Sequence, residues 1–209
     1  MKNNVFDLTG KTALITGAGG LLGPKHAEAI IEYGGKVILT DHHLERVEAQ
    51  ADRLNSTYGV GSAVYYHMDV TDPLSVQHVV NTVDRIDILI NNAAKDPKVK
   101  KGGNLTPSSR FETMTPEYWN EGIDAALNGT FYCSQSVANK MISQNLKGVI
   151  LNISSDLGVI APDQRIYRKP NTPEEMQNVK PITYSAHRYN IGEFFYKFFW
   201  VVVVNSSRT

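Results

Sequence analysis

Short apolar runs alternate along this chain with longer stretches in which apolar residues recur at helical spacing. The runs are rich in valine, isoleucine and leucine and are bounded by polar or turn-forming residues, which is typical of buried β-strands. They lie at positions 12–16, 37–40, 63–68, 86–90 and 149–153. The intervening stretches predict helices at about 22–33, 43–57, 73–84 and 116–145.

This order of elements predicts the class of fold. Strands that alternate with helices pair in parallel, and the crossover helices cover both faces of the sheet. Pro73 and Pro116 stand in the expected first turns of two helices, where proline is favoured. The length suits one domain, so the sequence predicts a single α/β domain over residues 1–209, built on an open doubly wound parallel sheet.

Composition narrows the partners and the location that we expect. Lys+Arg and Asp+Glu number 21 each, so no net charge attracts the chain to nucleic acid or to a membrane surface. The only cysteine, Cys133, excludes an internal disulfide framework and fits a reducing compartment. The N-terminus lacks the apolar stretch of a secretory signal, and no run approaches the roughly 18 apolar residues of a membrane span. These features predict a cytoplasmic protein.

A glycine-rich turn joins the first predicted strand to the first predicted helix. Gly17, Gly19, Gly20 and Gly23 all fall within residues 11–23. Glycine allows the backbone to take positive φ and to approach a ligand closely, and the following helix directs free N–H groups at the turn. That geometry suits the pyrophosphate of a dinucleotide. The alternative is that the glycines only make a tight connection.

Small, polar or acidic residues follow the other predicted strands, at the edge where such sheets bind their ligands. Asp41 ends the second strand. A carboxylate there accepts the hydroxyls of an adenosine ribose and repels a 2′-phosphate, so it favours NAD over NADP. The alternative is that Asp41 caps the next helix. His42 and His43 fit no metal-ligand spacing, and no metal site is predicted.

The motifs together resemble the short-chain dehydrogenase/reductase family. The residues that carry the resemblance, in order, are Thr16-Gly17, Gly23, Asp69, Asn91-Asn92-Ala93, Ser155 and Tyr184. The resemblance covers about residues 5–187 and implies a Rossmann-like domain that uses NAD(H) or NADP(H) to interconvert an alcohol and a ketone, usually as a homodimer or homotetramer. We expect NAD, and the residues that would line it by matching position are Gly17, Gly19, Leu22, Gly23, Asp41, Asp69, Val70, Asn91 and Ala93.

The resemblance also implies the catalytic groups, with two departures from the family pattern. Tyr184 would act as the general acid/base, and Ser155 would hydrogen-bond the reacting oxygen. Arg188 stands four residues after Tyr184, where the family has a lysine; arginine keeps the charge but does not release a proton near neutral pH. The family's helix asparagine aligns with Ala126.

Two insertions, residues 95–115 and 161–181, flank the expected mouth of the site. Both carry more lysine and arginine than acidic residues, which favours an acidic or phosphorylated substrate such as a sugar acid. The alternative is a pair of solvated loops with ordinary lysines. The stretches 95–98 and 154–168 resemble a subgroup linked to bacterial surface-polysaccharide or flagellin-glycan sugar synthesis.

The chain changes character after residue 187. Aromatic residues crowd positions 194–200, and we expect residues 188–209 to be an aberrant tail without the family's last strands. A shifted reading frame near 186–188, a divergent C-terminus or a membrane-anchoring tail would each explain it. Two functions therefore stay open: an NAD(H)-dependent oxidoreductase acting on a small polar, sugar-like substrate, or a catalytically impaired dinucleotide-binding remnant.

Overall fold

The computed structural model of the protein describes residues 5–95 and 110–198, except for the side chains of residues 190 and 192–198. The strands are β1 (Thr12–Thr16), β2 (Lys36–Asp41), β3 (Ala63–His67), β4 (Ile88–Asn91) and β5 (Val149–Asn152). The helices are α1 (Gly23–Glu32), α2 (Leu44–Tyr58), α3 (Pro73–Thr82), α4 (Pro116–Ile123), α5 (Gly129–Ser143) and α6 (Ile182–Phe198). One π-helical turn, Asp124–Asn128, joins α4 to α5 without a break.

The five strands form one parallel sheet in the order β3-β2-β1-β4-β5. The chain moves outward from β1 in one direction through β2 and β3, and then in the other direction through β4 and β5. The prediction of a doubly wound sheet is therefore confirmed. The connections reverse between β1 and β4, and a crevice at the carboxyl ends of those strands is where such folds bind ligands.

Helices cover both faces of the sheet because successive strand side chains point to opposite sides. Leu14 faces a core formed with α3 and α5, whereas its neighbours Ala13 and Ile15 face a second core formed with α1 and α2. Each fully buried leucine or isoleucine stabilises the fold by about 1.5–3 kcal/mol. Cys133 packs in the first core, and burial raises the pKa of its thiol to about 12, so this cysteine is a packing residue.

Most predicted elements are confirmed, with boundaries that move by one or two residues. The predicted helix over 116–145 is one continuous helix, but the sequence did not predict its π-helical turn. The helix that carries Tyr184 and Arg188 continues past residue 187 as far as Phe198. Among the described helices, none combines the length and the apolar character that crossing a membrane requires.

The strand β5 lies at one side of the sheet. Within the described residues it pairs with β4 alone. Ile150 is buried in the first core, but Val149 is 61% exposed and Leu151 is 47% exposed. The outer side of β5 therefore combines apolar side chains with a strand edge that no described strand pairs.

Asp87 forms hydrogen bonds and an ion pair at the amino-terminal edge of the sheet. Its carboxylate is 2% exposed and accepts hydrogen bonds from Arg85 Nε at 2.8 Å and from the Thr12 N–H at 3.1 Å, and Lys11 Nζ lies 3.4 Å away. Burial alone would raise the pKa of Asp87, but the Arg85 and Thr12 hydrogen bonds and the two nearby cations outweigh it and lower that pKa. The charged carboxylate therefore stabilises the fold.

We expect Asp87→Asn to lower the free energy of unfolding near pH 7 by about 1–3 kcal/mol, because it removes the negative charge that pairs with Arg85 and Lys11 and replaces one acceptor oxygen by an NH2 donor. The wild-type advantage is complete above the ordinary aspartate pKa and disappears as the pH falls through the lowered pKa of the folded state. Urea unfolding measured between about pH 7 and pH 3 tests this. Asp84→Asn, at an exposed neighbour, is the control. A stability difference between wild type and Asp87→Asn that is constant with pH would contradict the assignment.

Candidate active site

The glycine turn packs directly against the chain that follows β4. Gly17 has φ of +62°, and a Cβ added there would lie 2.8 Å from Ala93 Cα. Gly23 begins α1 against the same turn, since an added Cβ would lie 2.5 Å from Ala18 Cα. Neither position has room for a side chain. The turn therefore exposes backbone at the switch point between β1 and β4.

Asn92 holds this junction together. Its Nδ2 donates to the carbonyl oxygens of Thr16 and Gly17, both at 3.0 Å. The N–H groups of Asn92 and Ala93 each donate to Thr16 Oγ1 at 3.0 Å. The sequence pointed to the asparagine pair but assigned the cofactor to Asn91, and Asn92 is the residue that fixes the glycine turn.

Asn91 is directed into the protein. It is 4% exposed, and its Nδ2 donates to Ser134 Oγ at 2.9 Å and to Asn152 Oδ1 at 2.8 Å. These bonds join β4 to β5 and to α5. In the described part of the chain, no donor reaches its buried Oδ1. The predicted contact between Asn91 and a cofactor stays a prediction.

Asp41 ties the end of β2 to the glycine turn. It is 6% exposed, its Oδ2 accepts from the Gly19 N–H at 3.1 Å, and its Oδ1 accepts from the His43 N–H at 3.0 Å. His43 is itself the residue at the N-cap of α2, so Asp41 holds the entry to α2 and does not accept from the helix. Oδ1 also lies 3.2 Å from His42 Nδ1, and Oδ2 keeps a second lone pair that suits a ribose hydroxyl.

Arg46 stands close to the same position, and the sequence analysis missed it. A Cβ added to Gly19 would lie 2.6 Å from Arg46 Cβ and 3.2 Å from Asp41 Oδ2. The Arg46 side chain, on the first turn of α2, therefore starts beside the carboxylate that is expected to exclude a 2′-phosphate. Arg46 stands five residues after Asp41, in the first turn of the helix that follows the second strand. That position was the sequence signal that could have identified it.

The remaining predicted cofactor residues lie at the carboxyl edge or at the start of α1. Asp69 forms the turn after β3, with its Oδ1 accepting from the Thr71 N–H at 2.9 Å. Val70 packs on α5, because a Cβ added to Gly129 would lie 2.8 Å from Val70 Cγ2. Leu22 is the N-cap residue of α1 and is 49% exposed. Their contacts with a cofactor stay predictions.

The structure brings Ser155 onto the helix that carries Tyr184. Ser155 caps a 3₁₀ turn, Asp156–Gly158, by accepting from the Leu157 N–H at 3.2 Å. Gly158 lets this turn approach α6, since an added Cβ would lie 2.8 Å from the Arg188 carbonyl carbon. Ser154 Oγ also donates to the Arg188 carbonyl oxygen at 2.9 Å. The serine turn is therefore fixed one helical turn from Tyr184.

Tyr184 lies between aromatic and cationic neighbours. The His187 ring meets it edge-on, with centroids 5.4 Å apart. Lys180 Nζ lies 3.8 Å from the centroid of the tyrosine ring, and Arg188 Cζ lies 5.2 Å from it. The sequence predicted the cation at Arg188, and it indicated Lys180 only as one of the basic residues of the 161–181 insertion.

Arg188 is 9% exposed and points toward the sheet. Its Nη1 donates to the carbonyl oxygen of Ile153, just beyond β5. Within the described residues no carboxylate lies within 4 Å of its guanidinium. Arg188 thus holds α6 against the end of β5, in addition to placing a charge near Tyr184.

Ala126, at the position of the family's helix asparagine, makes an apolar contact. It is fully buried in the π-helical turn and clusters with Ile191 of α6. The nearby Asn128 donates through Nδ2 to Asp124 Oδ1 at 2.7 Å. No amide side chain therefore replaces the family asparagine at this position.

The described parts of the two insertions meet each other. Arg110 Nη1 donates to the Glu174 carbonyl oxygen at 2.9 Å, and a cavity of about 350 Å³ lies between the insertions. Residues of both insertions line it, among them Phe111, Pro162, Gln164, Val179 and Lys180, together with Ser185 of α6. Three arginines pair with nearby carboxylates: Arg110 with Glu112, Arg165 with Asp163, and Arg168 with Glu174. Lys98, Lys100 and Lys101, on which the predicted cationic excess also depends, lie outside the described residues.

The strand order, and the glycine turn at the carboxyl ends of the strands, define a doubly wound α/β protein of the dinucleotide-binding type. Residues 11–167 match the family model described as short chain dehydrogenase, and the chain belongs to this family. The resemblance read from the motifs is confirmed.

Two curated relatives and one solved structure illustrate the likeness. Over 155 residues, 72% of this chain, it is 35% identical to a 3-oxoacyl-[acyl-carrier-protein] reductase of Aquifex aeolicus and 34% identical to a sorbitol dehydrogenase of Cereibacter sphaeroides. The aligned part spans 58% and 55% of those proteins. A 3-oxoacyl-[acyl-carrier protein] reductase of Brucella melitensis with bound NAD superposes with a TM-score of 0.73 at 26% identity, covering 90% of this chain and 64% of that one. The chain thus spans little more than half the length of these curated relatives.

Proposed function

We propose that this chain binds NAD(H) along the carboxyl ends of β1, β2 and β4 and interconverts an alcohol and a ketone on a small polar, sugar-like molecule. The observation that carries the proposal is the placement of the Ser155 turn against α6, one helical turn from Tyr184, at the same sheet edge as the glycine turn. Binding and chemistry would then share one crevice.

The residues at the edge fit a dinucleotide. Gly17 and Gly19 have no room for a side chain, and the absence of a side chain would let a pyrophosphate come close to the backbone of the turn. Asp41, at the end of β2, would accept the ribose hydroxyls. Leu22 and Gly23 at the start of α1, and Asp69, Val70, Asn91 and Ala93 at the later strand ends, would complete the cofactor surface.

The catalytic roles follow from the chemistry of the side chains. When bound, the nicotinamide donates or accepts the hydride. In ketone reduction, Tyr184 Oη would donate the proton that completes the alcohol, and in the reverse direction it would accept that proton. Ser155 Oγ would hydrogen-bond the reacting oxygen, and Arg188 would contribute positive charge.

The relatives support the class of substrate. One of them is a sorbitol dehydrogenase, and others are a D-threitol dehydrogenase of Mycolicibacterium smegmatis and a sorbose reductase of Candida albicans. An alcohol/ketone pair on a polyol is therefore the proposed substrate, and a homodimer or homotetramer in the cytoplasm is the proposed form. A role in surface-carbohydrate synthesis stays part of the proposal.

A second candidate function is dinucleotide binding without turnover. Two observations favour it: Arg188 is engaged with the Ile153 carbonyl oxygen, and Ala126 provides no hydrogen-bonding side chain. Fluorescence titration with NADH and NADPH, followed by turnover assays on sorbitol and other polyols, separates the two. Turnover supports the oxidoreductase, binding without turnover supports the second candidate, and no binding of either dinucleotide overturns both.

The cofactor preference depends on Asp41. We expect Asp41→Ser to reduce the preference for NADH over NADPH by about tenfold or more, because the repulsion of a 2′-phosphate is lost. The ratio of the two Kd values measures this. Asp52→Asn, which removes an exposed charge on α2, should leave the ratio unchanged.

Arg46 provides the opposing test. If NADPH binds more tightly than NADH to the wild type, and Arg46→Ala removes that advantage, the arginine and not the carboxylate determines the cofactor. That result would contradict the proposed preference for NAD.

A further inference from the structure

Two cations lie beside the ring of Tyr184, and the nearer one does not occupy the family's lysine position. Lys180 Nζ is 3.8 Å from the ring centroid, whereas Arg188 Cζ is 5.2 Å away. The Arg188 guanidinium also donates to the Ile153 carbonyl oxygen. The charge of Lys180 is concentrated on one ammonium group, while that of Arg188 is spread over a plane.

The backbone around Lys180 is held from both sides. Its N–H donates to Gln164 Oε1 at 2.8 Å, and its carbonyl oxygen accepts from Gln164 Nε2 at 3.2 Å. Pro181 follows, and its carbonyl oxygen accepts from the Tyr184 N–H at 3.1 Å. The lysine therefore reaches the tyrosine from a fixed point at the end of the 161–181 insertion.

Acidic groups on the elements around this end of α6 have other partners. Those groups and their partners are Glu112 with Arg110, Glu117 with Thr115, Glu121 with Lys95, Asp124 with Asn128, Asp156 with Ser155, and, on the insertion itself, Asp163 with Arg165 and Glu174 with Arg168. Glu175 of the insertion is exposed to solvent. The titratable His187 ring touches Tyr184 edge-on. Lys180 and Arg188 are the two cationic side chains that lie beside the tyrosine ring.

We infer that Lys180 is a positioning residue for Tyr184, and that its ammonium group supplies the main positive charge that favours the tyrosine phenolate. A cation over an aromatic face attracts the neutral ring weakly and the negatively charged phenolate strongly, so it favours the ionised form. The inference rests on the proposed function, because it gives Lys180 a role only in a reaction that uses Tyr184 as acid/base. It makes the 161–181 insertion part of the catalytic apparatus.

The first measurement is the pH dependence of alcohol oxidation by the full chain. In Lys180→Gln, the pH at which the rate reaches half of its maximum should rise by about one unit, so that the rate at lower pH falls about tenfold. The Kd for NADH should not change. Lys180→Arg should restore most of the loss, and Lys147→Gln, at an exposed lysine just before β5, should match the wild type.

The second measurement needs no turnover. The ultraviolet phenolate signal that Tyr184→Phe removes belongs to Tyr184, and its titration midpoint should move to higher pH in Lys180→Gln. An unchanged midpoint in Lys180→Gln would overturn the inference, and a raised midpoint in Arg188→Gln would then assign the charge to Arg188. A shifted midpoint in a chain that binds NADH without turnover would support the Lys180 contact and reject the oxidoreductase proposal alone.

Discussion

Tyr184→Phe is expected to lower kcat by about 10²–10⁴-fold while the Kd for NADH stays within a factor of about two. General acid/base catalysis by a positioned side chain contributes a factor of that size, and phenylalanine keeps the ring but removes the proton. The ring contacts with His187 and Lys180 do not need the hydroxyl group. The variant should therefore fold and bind cofactor normally.

The measurement is steady-state turnover on a polyol substrate, with the NADH titration run on the same preparations. Tyr189→Phe is the matched control, because it removes a hydroxyl from the same helix at a residue that is 52% exposed. Turnover in Tyr184→Phe equal to that of the wild type would exclude Tyr184 as the acid/base. An equal loss in both variants would indicate a general effect on α6.

Gly17→Ala should have the second large effect. It places a Cβ at φ of +62° and 2.8 Å from Ala93 Cα, so backbone on one side of the crevice must move. We expect the free energy of unfolding to fall by about 2–4 kcal/mol and the Kd for NADH to rise at least about tenfold. The displaced turn would no longer present its N–H groups to a pyrophosphate.

Gly10→Ala separates the two causes of that effect. Gly10 has a similar φ of +76°, but an added Cβ would have no atom within 4 Å. Its cost should be only that of a left-handed alanine, about 1–2 kcal/mol, with unchanged NADH binding. Denaturant unfolding and NADH titration of both variants test the comparison. Equal destabilisation by the two substitutions would show that contact with Ala93 is not the cause.

Most of the fold follows from local features of the sequence. The apolar runs predicted the strands. Pro73 and Pro116 predicted two helix starts, because the fixed φ of proline suits the first turn of a helix. Alternation of strands and helices was enough to predict a parallel doubly wound sheet. The glycine turn was also predictable, because residues that need positive φ and close approach leave few alternatives to glycine.

The side-chain directions at the site were not predictable to the same degree. Whether Asn91 or Asn92 faces the glycine turn depends on how β4 ends, and that is decided by packing across the sheet. Lys180 stands four residues before Tyr184 but ahead of the start of α6, so regular helical spacing does not place it beside the ring. Its backbone is held by the Gln164 hydrogen bonds, which join residues 16 apart and which the local pattern does not indicate.

The π-helical turn, Asp124–Asn128, is a further feature that the sequence did not predict, and it changes which side chains share a face of the helix. One extra residue in a turn rotates the following side chains by about 100° relative to a regular α-helix. A helical wheel drawn through Ala126 and Asn128 therefore assumes a geometry that the chain does not have. Such turns arise from tertiary contacts, which the sequence does not display.

The exposed side of β5 affects how the protein behaves at high concentration. Val149 and Leu151 present apolar surface beside backbone groups that no described strand pairs. Such an edge is a template for strand addition, in which a segment of another molecule extends the sheet by one strand. Self-association by that route would extend the sheet beyond β5 and leave the crevice between β1 and β4 open.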